Sequence, residues 1–161
     1  MSSKLITIGS ALLAGTLAAI GGTAQADNIN TSGTICQSFL GSQTVAIDHL
    51  ANGVRNVNAA PRRVTCSIPR SPLPAAVAPR FRVAGHNNVN SCTACTLTLY
   101  RPNGVTAATQ SFMQCAPVPA ATNWNRLVLF PLGLNFDYAS LLCTLPGNGA
   151  GLLFGVTAIQ P

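Results

Sequence analysis

The chain has no glutamate, only three aspartates and two histidines, so acidic and basic catalytic groups are scarce. Glycoside hydrolysis needs paired carboxylates, and Asp27, Asp48 and Asp137 are too scattered to supply them. Asp48 and His49 are adjacent, so in a strand their side chains point to opposite faces. His86 lies in a predicted turn, and no third metal ligand or activated nucleophile accompanies either histidine. We therefore predict a protein that is not an enzyme and holds no cofactor or metal.

Lysine is also nearly absent, and the single one, Lys4, belongs to a segment typical of a secretory signal peptide. Residues 5–20 are apolar, and Ala24 and Ala26 are the small residues that precede a cleavage site. The apolar segment is too short and too rich in Gly and Thr to favour a membrane span. We predict a signal peptide over residues 1–26 and a mature domain over 27–161, secreted or periplasmic, with no transmembrane segment.

Charged residues make up only 7% of the chain. The mature part has eight arginines and three aspartates, a net charge of +5. No run of like charge is longer than Arg62-Arg63, so we do not expect a nucleic-acid partner. Arg80 and Arg82 share one predicted strand face and should point to solvent. A weakly basic surface of this kind suits anionic or neutral glycans or envelope components as partners.

Long helices are excluded by eleven prolines, which are spread from Pro61 to Pro161. Several segments instead alternate apolar and polar residues with the period of two that half-buried strands require. These segments are 64–68, 80–83, 95–100, 105–114, 126–130, 138–145 and 152–159. Arg101-Pro102-Asn103-Gly104 reads as the turn of a hairpin, and Gly155 as a bulge. The pattern predicts an all-β fold, an antiparallel β-sandwich of the Ig-like or jelly-roll-like kind.

Three segments are less regular. The polar stretch 27–33 is expected to fray. Residues 42–51 have the only helical character in the mature chain, although a strand over 43–47 is favoured. The proline-rich stretch 71–79 reads as an extended edge or loop.

Six cysteines follow the predicted leader, and in an exported chain they are expected to form disulfides. Sequence alone allows fifteen pairings. Cys92 and Cys115 are almost equidistant from the turn at Asn103, so they should face each other across a hairpin. Cys95 and Cys143 are in phase with the apolar faces of their strands, and an inter-sheet bridge between them is plausible. The preferred set is Cys92–Cys115, Cys95–Cys143 and Cys36–Cys66.

Ligand binding has few aromatic candidates, because the chain has one tryptophan and two tyrosines. Trp124 is flanked by asparagines and Arg126, which could hydrogen-bond sugar hydroxyls, and Tyr100 and Tyr138 also combine a flat face with a polar tip. Trp124, Tyr100 and Arg126 are therefore the candidate ligand-binding residues. The alternative, which we favour for Trp124, is that its indole caps one end of the core.

Short motifs give the chain a family resemblance. They are Val64-Thr65-Cys66-Ser67-Ile68-Pro69-Arg70, Cys95-Thr96-Leu97-Thr98-Leu99-Tyr100, Leu142-Cys143-Thr144-Leu145-Pro146 and Gly155-Val156-Thr157. Together they resemble a group of uncharacterised small secreted bacterial β-sandwich proteins. Ser67 replaces the proline expected in that group, and Cys92 with Cys115 is an added pair. The resemblance implies a scaffold and export, and brings no function with it.

These observations predict a secreted, non-enzymatic β-sandwich with a structural or surface-interaction role. The alternative is a carbohydrate-binding, lectin-like module that uses Trp124 and nearby polar loops.

Overall fold

A computed structural model describes residues 28–69 and 77–159 of the chain. Two 3₁₀ helices, Gly33–Ile35 and Gly41–Ala46, are the helical elements of this part. The strands, in chain order, are β1 (Ile29–Ser32), β2 (Gln37–Ser38), β3 (Ile47–Leu50), β4 (Gly53–Asn56), β5 (Arg62–Pro69), β6 (Arg80–Asn87), β7 (Cys92–Tyr100), β8 (Thr106–Cys115), β9 (Thr122–Leu129), β10 (Tyr138–Leu145) and β11 (Gly151–Ile159).

The strands form two antiparallel sheets. The six-stranded sheet has the order β3-β4-β11-β6-β9, and β1 also pairs with β11. The five-stranded sheet has the order β2-β5-β10-β7-β8. One hydrophobic core contains side chains from both sheets. The predicted all-β, antiparallel sandwich is confirmed.

The core follows from the period of two in the sequence. In β5, Val64, Cys66 and Ile68 are buried while the intervening side chains are more exposed. In β10 and β11, Leu141 and Leu153 are likewise completely buried. The strand predicted from Arg126 begins four residues earlier, at Thr122.

Two buried asparagines connect the sheets, and neither is expected from the sequence pattern. Asn87 of β6 donates from Nδ2 to the carbonyl of Gln114 at 2.7 Å and accepts at Oδ1 from the Thr93 hydroxyl at 2.6 Å. Asn56 of β4 donates from Nδ2 to the carbonyls of Ala60 at 2.8 Å and Pro146 at 3.2 Å. Buried amides that find such partners specify how the two sheets align.

All three preferred disulfides are present and no cysteine is free. Cys92 and Cys115 are direct cross-strand partners, as predicted. Cys95 and Cys143 are bonded, but the inter-sheet placement was wrong. Their strands, β7 and β10, are neighbours in one sheet, and the two residues lie directly opposite each other. Two cysteines that point to the apolar faces of their strands can lie on adjacent strands of one sheet as readily as on strands of two facing sheets.

Three local predictions were wrong. His86 was expected in a turn but lies within β6, where it pairs with Leu152 and Asn123. Residues 41–46 form a 3₁₀ helix rather than a strand, because the chain must turn there between β2 of one sheet and β3 of the other. The segment 27–33 was expected to fray, but most of it forms β1. This strand pairs with β11, and its Thr31 is buried although the segment is polar. The predicted signal peptide and residues 71–76 of the predicted edge or loop lie outside the described residues. No helix in the described part is long and apolar enough to cross a membrane.

Candidate functional site

The outer face of the six-stranded sheet has an open depression of about 440 Å³. This volume falls in the range of about 300–1,000 Å³ that is usual for ligand pockets. Four strands contribute its lining: Asn30, Thr31 and Ser32 of β1, Arg82 and Ala84 of β6, Asn125 of β9, and Phe154, Gly155, Val156 and Thr157 of β11.

Residues with short side chains form one row across the sheet within the depression. Ser32, Gly155, Ala84 and Asn125 are successive cross-strand partners in β1, β11, β6 and β9. The two central positions therefore carry at most a methyl group. A register shift between Leu153 and Gly155 marks a β-bulge, which confirms the prediction for this glycine. Bulges are frequent beside functional sites, where they redirect side chains.

Both the backbone conformation at position 155 and the lack of room for a side chain there require a glycine. Its φ is +152°, which side chains rarely adopt, and a Cβ built there would lie 2.4 Å from the carbonyl oxygen of Thr31. We expect Gly155→Ala to destabilise the fold by about 1–3 kcal/mol and to displace β1. Chemical denaturation measures the loss. Gly41→Ala is the matched control, because nothing lies within 4 Å of a Cβ there. Equal stability of both variants would contradict a specific role for Gly155.

Polar groups surround this small-residue floor. The Thr157 hydroxyl donates to Oδ1 of Asn30 at 2.6 Å, which fixes the orientation of the Asn30 amide. Arg82 and Asn125 are both exposed. In the described part of the chain no carboxylate is paired with Arg82. The depression therefore combines a guanidinium group, two amides and hydroxyls, with the Phe154 ring as an apolar element.

Trp124 is not part of this depression. Its side chain lies in the core and is only 8% exposed. It meets the Phe112 ring edge-on at a centroid distance of 6.5 Å, and Gly85 on β6 lies directly opposite it. Its indole face is therefore not available to a ligand, which corrects its candidacy as a binding residue. The favoured core position is the one found.

Tyr100 and Arg126 lie on two further surfaces, so the structure does not bring the three candidates together. Tyr100 is on the outer face of the five-stranded sheet, where its ring stacks on Tyr138 at 5.1 Å and 15°. Arg126 lies at one edge of the sandwich, in a cleft lined by β8 and β9.

The titratable residues considered for catalysis have other partners. Asp48 forms an ion pair with Arg55 at 2.8 Å, and His49 Nδ1 lies 2.9 Å from the Thr34 carbonyl. His86 contacts two asparagine side-chain oxygens, at 2.8 and 3.2 Å. No group of three or more His, Cys, Asp or Glu side chains suited to a metal occurs among residues 28–69 and 77–159.

Comparison with known proteins finds no matching family model and no matching curated protein. Several solved structures align with this chain at low similarity. A GH26-CBM35 β-(1,4)-mannanase from Podospora anserina aligns at TM-score 0.43 and 12% identity, over 83% of this chain and 28% of the mannanase. The apo structure of BiXyn10A CBM1 aligns at TM-score 0.44 and 9% identity, over 86% and 92%.

A non-crystalline cellulose-specific carbohydrate-binding module, CBM28, aligns at TM-score 0.40 and 8% identity, over 78% of this chain and 83% of the module. The chain spans less than a third of the length of the mannanase. At these identities and TM-scores, the likeness carries nothing over to the function of this chain.

Proposed function

We propose that this protein is an exported, non-catalytic module that binds glycans in the depression beside Gly155. The observation that carries the proposal is the depression itself, in which Arg82, Asn30, Asn125 and Thr157 surround a floor of small residues. The three disulfides fit an oxidising compartment, which agrees with the export expected from residues 1–26.

The donor and acceptor set suits a polyhydroxylated ligand. Side-chain amides and hydroxyls can both donate and accept, as sugar hydroxyls do, so each can match either role. Phe154 offers an apolar surface to the carbon-bound hydrogens of a sugar ring. The short side chain of Ala84 lets the ring approach the sheet at that position.

Charge favours an anionic glycan over a neutral one. Arg82 lines the depression, and Arg80 is exposed on the same face of β6, two residues away. A carboxylate or sulfate on the sugar would form a charge-assisted hydrogen bond with the Arg82 guanidinium. Because such exposed interactions are screened, binding should weaken as the salt concentration rises.

The absence of catalysis is part of the proposal. Among the residues that the structure describes, the lining of the depression has no carboxylate and no histidine, so none of these side chains can transfer a proton to or from a glycosidic oxygen. Incubation with the bound glycan should leave its chain length unchanged.

The test is a glycan array followed by affinity measurements in about 0.15 M salt. We expect Arg82→Gln to weaken binding about tenfold or more, since a hydrogen bond to a charged group contributes about 1.5–3 kcal/mol. Arg80→Gln removes the same charge from the same strand and is the matched control, with an expected loss below about threefold. Asn125→Ala should weaken binding of neutral and anionic sugars alike.

Two results would contradict the proposal. No saturable binding to any glycan would remove the function altogether. Equal losses for Arg82→Gln and Arg80→Gln would show general attraction to a basic face instead of a defined site.

A further inference from the structure

The two sheets end side by side in β8 and β9, which leaves an open cleft along one side of the sandwich. β8 is the last strand of the five-stranded sheet and β9 the last of the six-stranded sheet. The cleft has a volume of about 220 Å³. Its lining is Gln110, Ser111 and Phe112 of β8 and Arg126, Leu127, Val128 and Leu129 of β9.

The hydrogen-bond pattern shows which backbone groups of β8 are free. The amide of Ala116 donates to the carbonyl of Ser91 at 3.0 Å, so the adjacent Cys92–Cys115 pair is a non-hydrogen-bonded pair of the ladder. Because the pattern alternates, Ser111 and Met113 direct their backbone N–H and C=O groups away from β7. These groups form an unpaired edge in the described structure.

This edge lacks three of the usual features that prevent further strand pairing, and its one register shift lies near the start of β8, away from Ser111 and Met113. Edge strands are commonly protected by charged residues, proline or short length. β8 is ten residues long and contains neither a charged residue nor proline. Met113 on its outer face is 63% exposed.

Arg126 gives the cleft its charge. It lies opposite Val83 and therefore belongs to the inner face of β9, yet it is exposed because it lines the open cleft. Within residues 28–69 and 77–159, no carboxylate is paired with it. Phe112 lines the same cleft and packs against Trp124, which provides an apolar contact beside the guanidinium.

We propose that β8 accepts an extended, acidic segment of a different polypeptide as an added β-strand. The backbone of the segment pairs with the free N–H and C=O groups of Ser111 and Met113. Its side chains alternate, so that those on one face enter the cleft, where an apolar residue contacts Phe112 and a carboxylate contacts Arg126. This surface is distinct from the glycan depression, and the inference does not depend on it.

A second copy of the chain is a poorer occupant. The chain has nine Lys and Arg residues against three Asp, and β8 itself offers no acidic side chain. Pairing of two β8 strands would supply no carboxylate for either Arg126. Charge complementarity therefore favours a partner of opposite character.

The test selects binders from a displayed library of random decapeptides on the oxidised protein. We expect enriched peptides that alternate apolar and acidic residues. Ser111→Pro removes one N–H at the free edge without breaking the ladder to β7, and should weaken such a peptide at least tenfold. Ser111→Ala keeps that N–H and should bind as the wild type does. Unchanged near-ultraviolet circular dichroism confirms that each variant is folded.

Arg126 is tested separately, so that the result does not depend on the proline variant. Arg126→Gln should abolish the preference for an acidic peptide over its Asn-substituted analogue, whereas Arg101→Gln, which removes the same charge from an exposed turn, should keep it. The proposal is overturned if no peptide is enriched, if Ser111→Pro binds as well as Ser111→Ala, or if Arg126→Gln retains the preference. Dimerisation that Ser111→Pro abolishes would assign the edge to a second copy and overturn it as well.

Discussion

Replacing Trp124 with alanine should lower the free energy of unfolding by about 3–5 kcal/mol, the usual cost of deleting a large buried aromatic side chain. The indole fills the space above Gly85, where even an added Cβ would lie 2.3 Å from it, and it also contacts Phe112. Trp124→Phe should cost less, because the ring retains part of the apolar area. Urea denaturation followed by circular dichroism measures all three proteins.

Leu132→Ala is the control for this prediction, because Leu132 is 70% exposed and its loss should change stability by less than about 0.5 kcal/mol. A stable Trp124→Ala protein that no longer bound glycans would contradict the core position and restore the indole as a ligand platform. Loss of stability alone leaves the depression beside Gly155 as the glycan site. Binding must therefore be measured only under conditions where the variant is folded.

Much of the fold could be predicted because period-two alternation reports which side of a strand is buried. Val64, Cys66 and Ile68 share the inner face of β5 as expected, and Arg80 and Arg82 are exposed on β6 as expected. The hairpin turn from Arg101 to Gly104 is also present, with a hydrogen bond from the Gly104 amide to the Arg101 carbonyl. These features are local, so each is determined by a short stretch of sequence.

Features that depend on distant segments could not be predicted in the same way. Thr31 is buried only because β1 lies against the bulge in β11, and its polarity suggested a fraying terminus. Cys95 and Cys143 could be paired by phase, but phase does not distinguish neighbouring strands from facing sheets. The strand order of β7 and β10 supplies that information.

The candidate site also combines a local feature, which could be predicted, with features that depend on distant segments. Gly155 was recognised as a bulge from its place in an apolar strand, but its neighbours Asn30, Arg82 and Asn125 come from three other strands. They meet only through the register of β1, β6, β9 and β11. Trp124 is a binding candidate in the sequence because it is the one tryptophan, whereas its burial depends on the absence of a side chain at Gly85.

The second large effect concerns the disulfides, whose loss should destabilise the protein unequally. The chain-entropy model gives about 4 kcal/mol for Cys95–Cys143 and about 3.4 kcal/mol for Cys92–Cys115, with sequence separations of 48 and 23. That difference is small. The two disulfides differ more strongly in burial, because Cys95 and Cys143 lie in the core whereas Cys92 and Cys115 are exposed.

We therefore expect Cys95→Ala with Cys143→Ala to cost about 1–2 kcal/mol more than Cys92→Ala with Cys115→Ala, since each buried sulfur leaves a void of roughly methylene size. Alanine is preferred to serine because it adds no buried hydroxyl. Urea denaturation of both double variants gives the comparison, and peptide mapping without reductant verifies the remaining bridges. Equal losses would mean that the constraint on the unfolded chain accounts for the whole effect and that the core closes around the missing sulfurs.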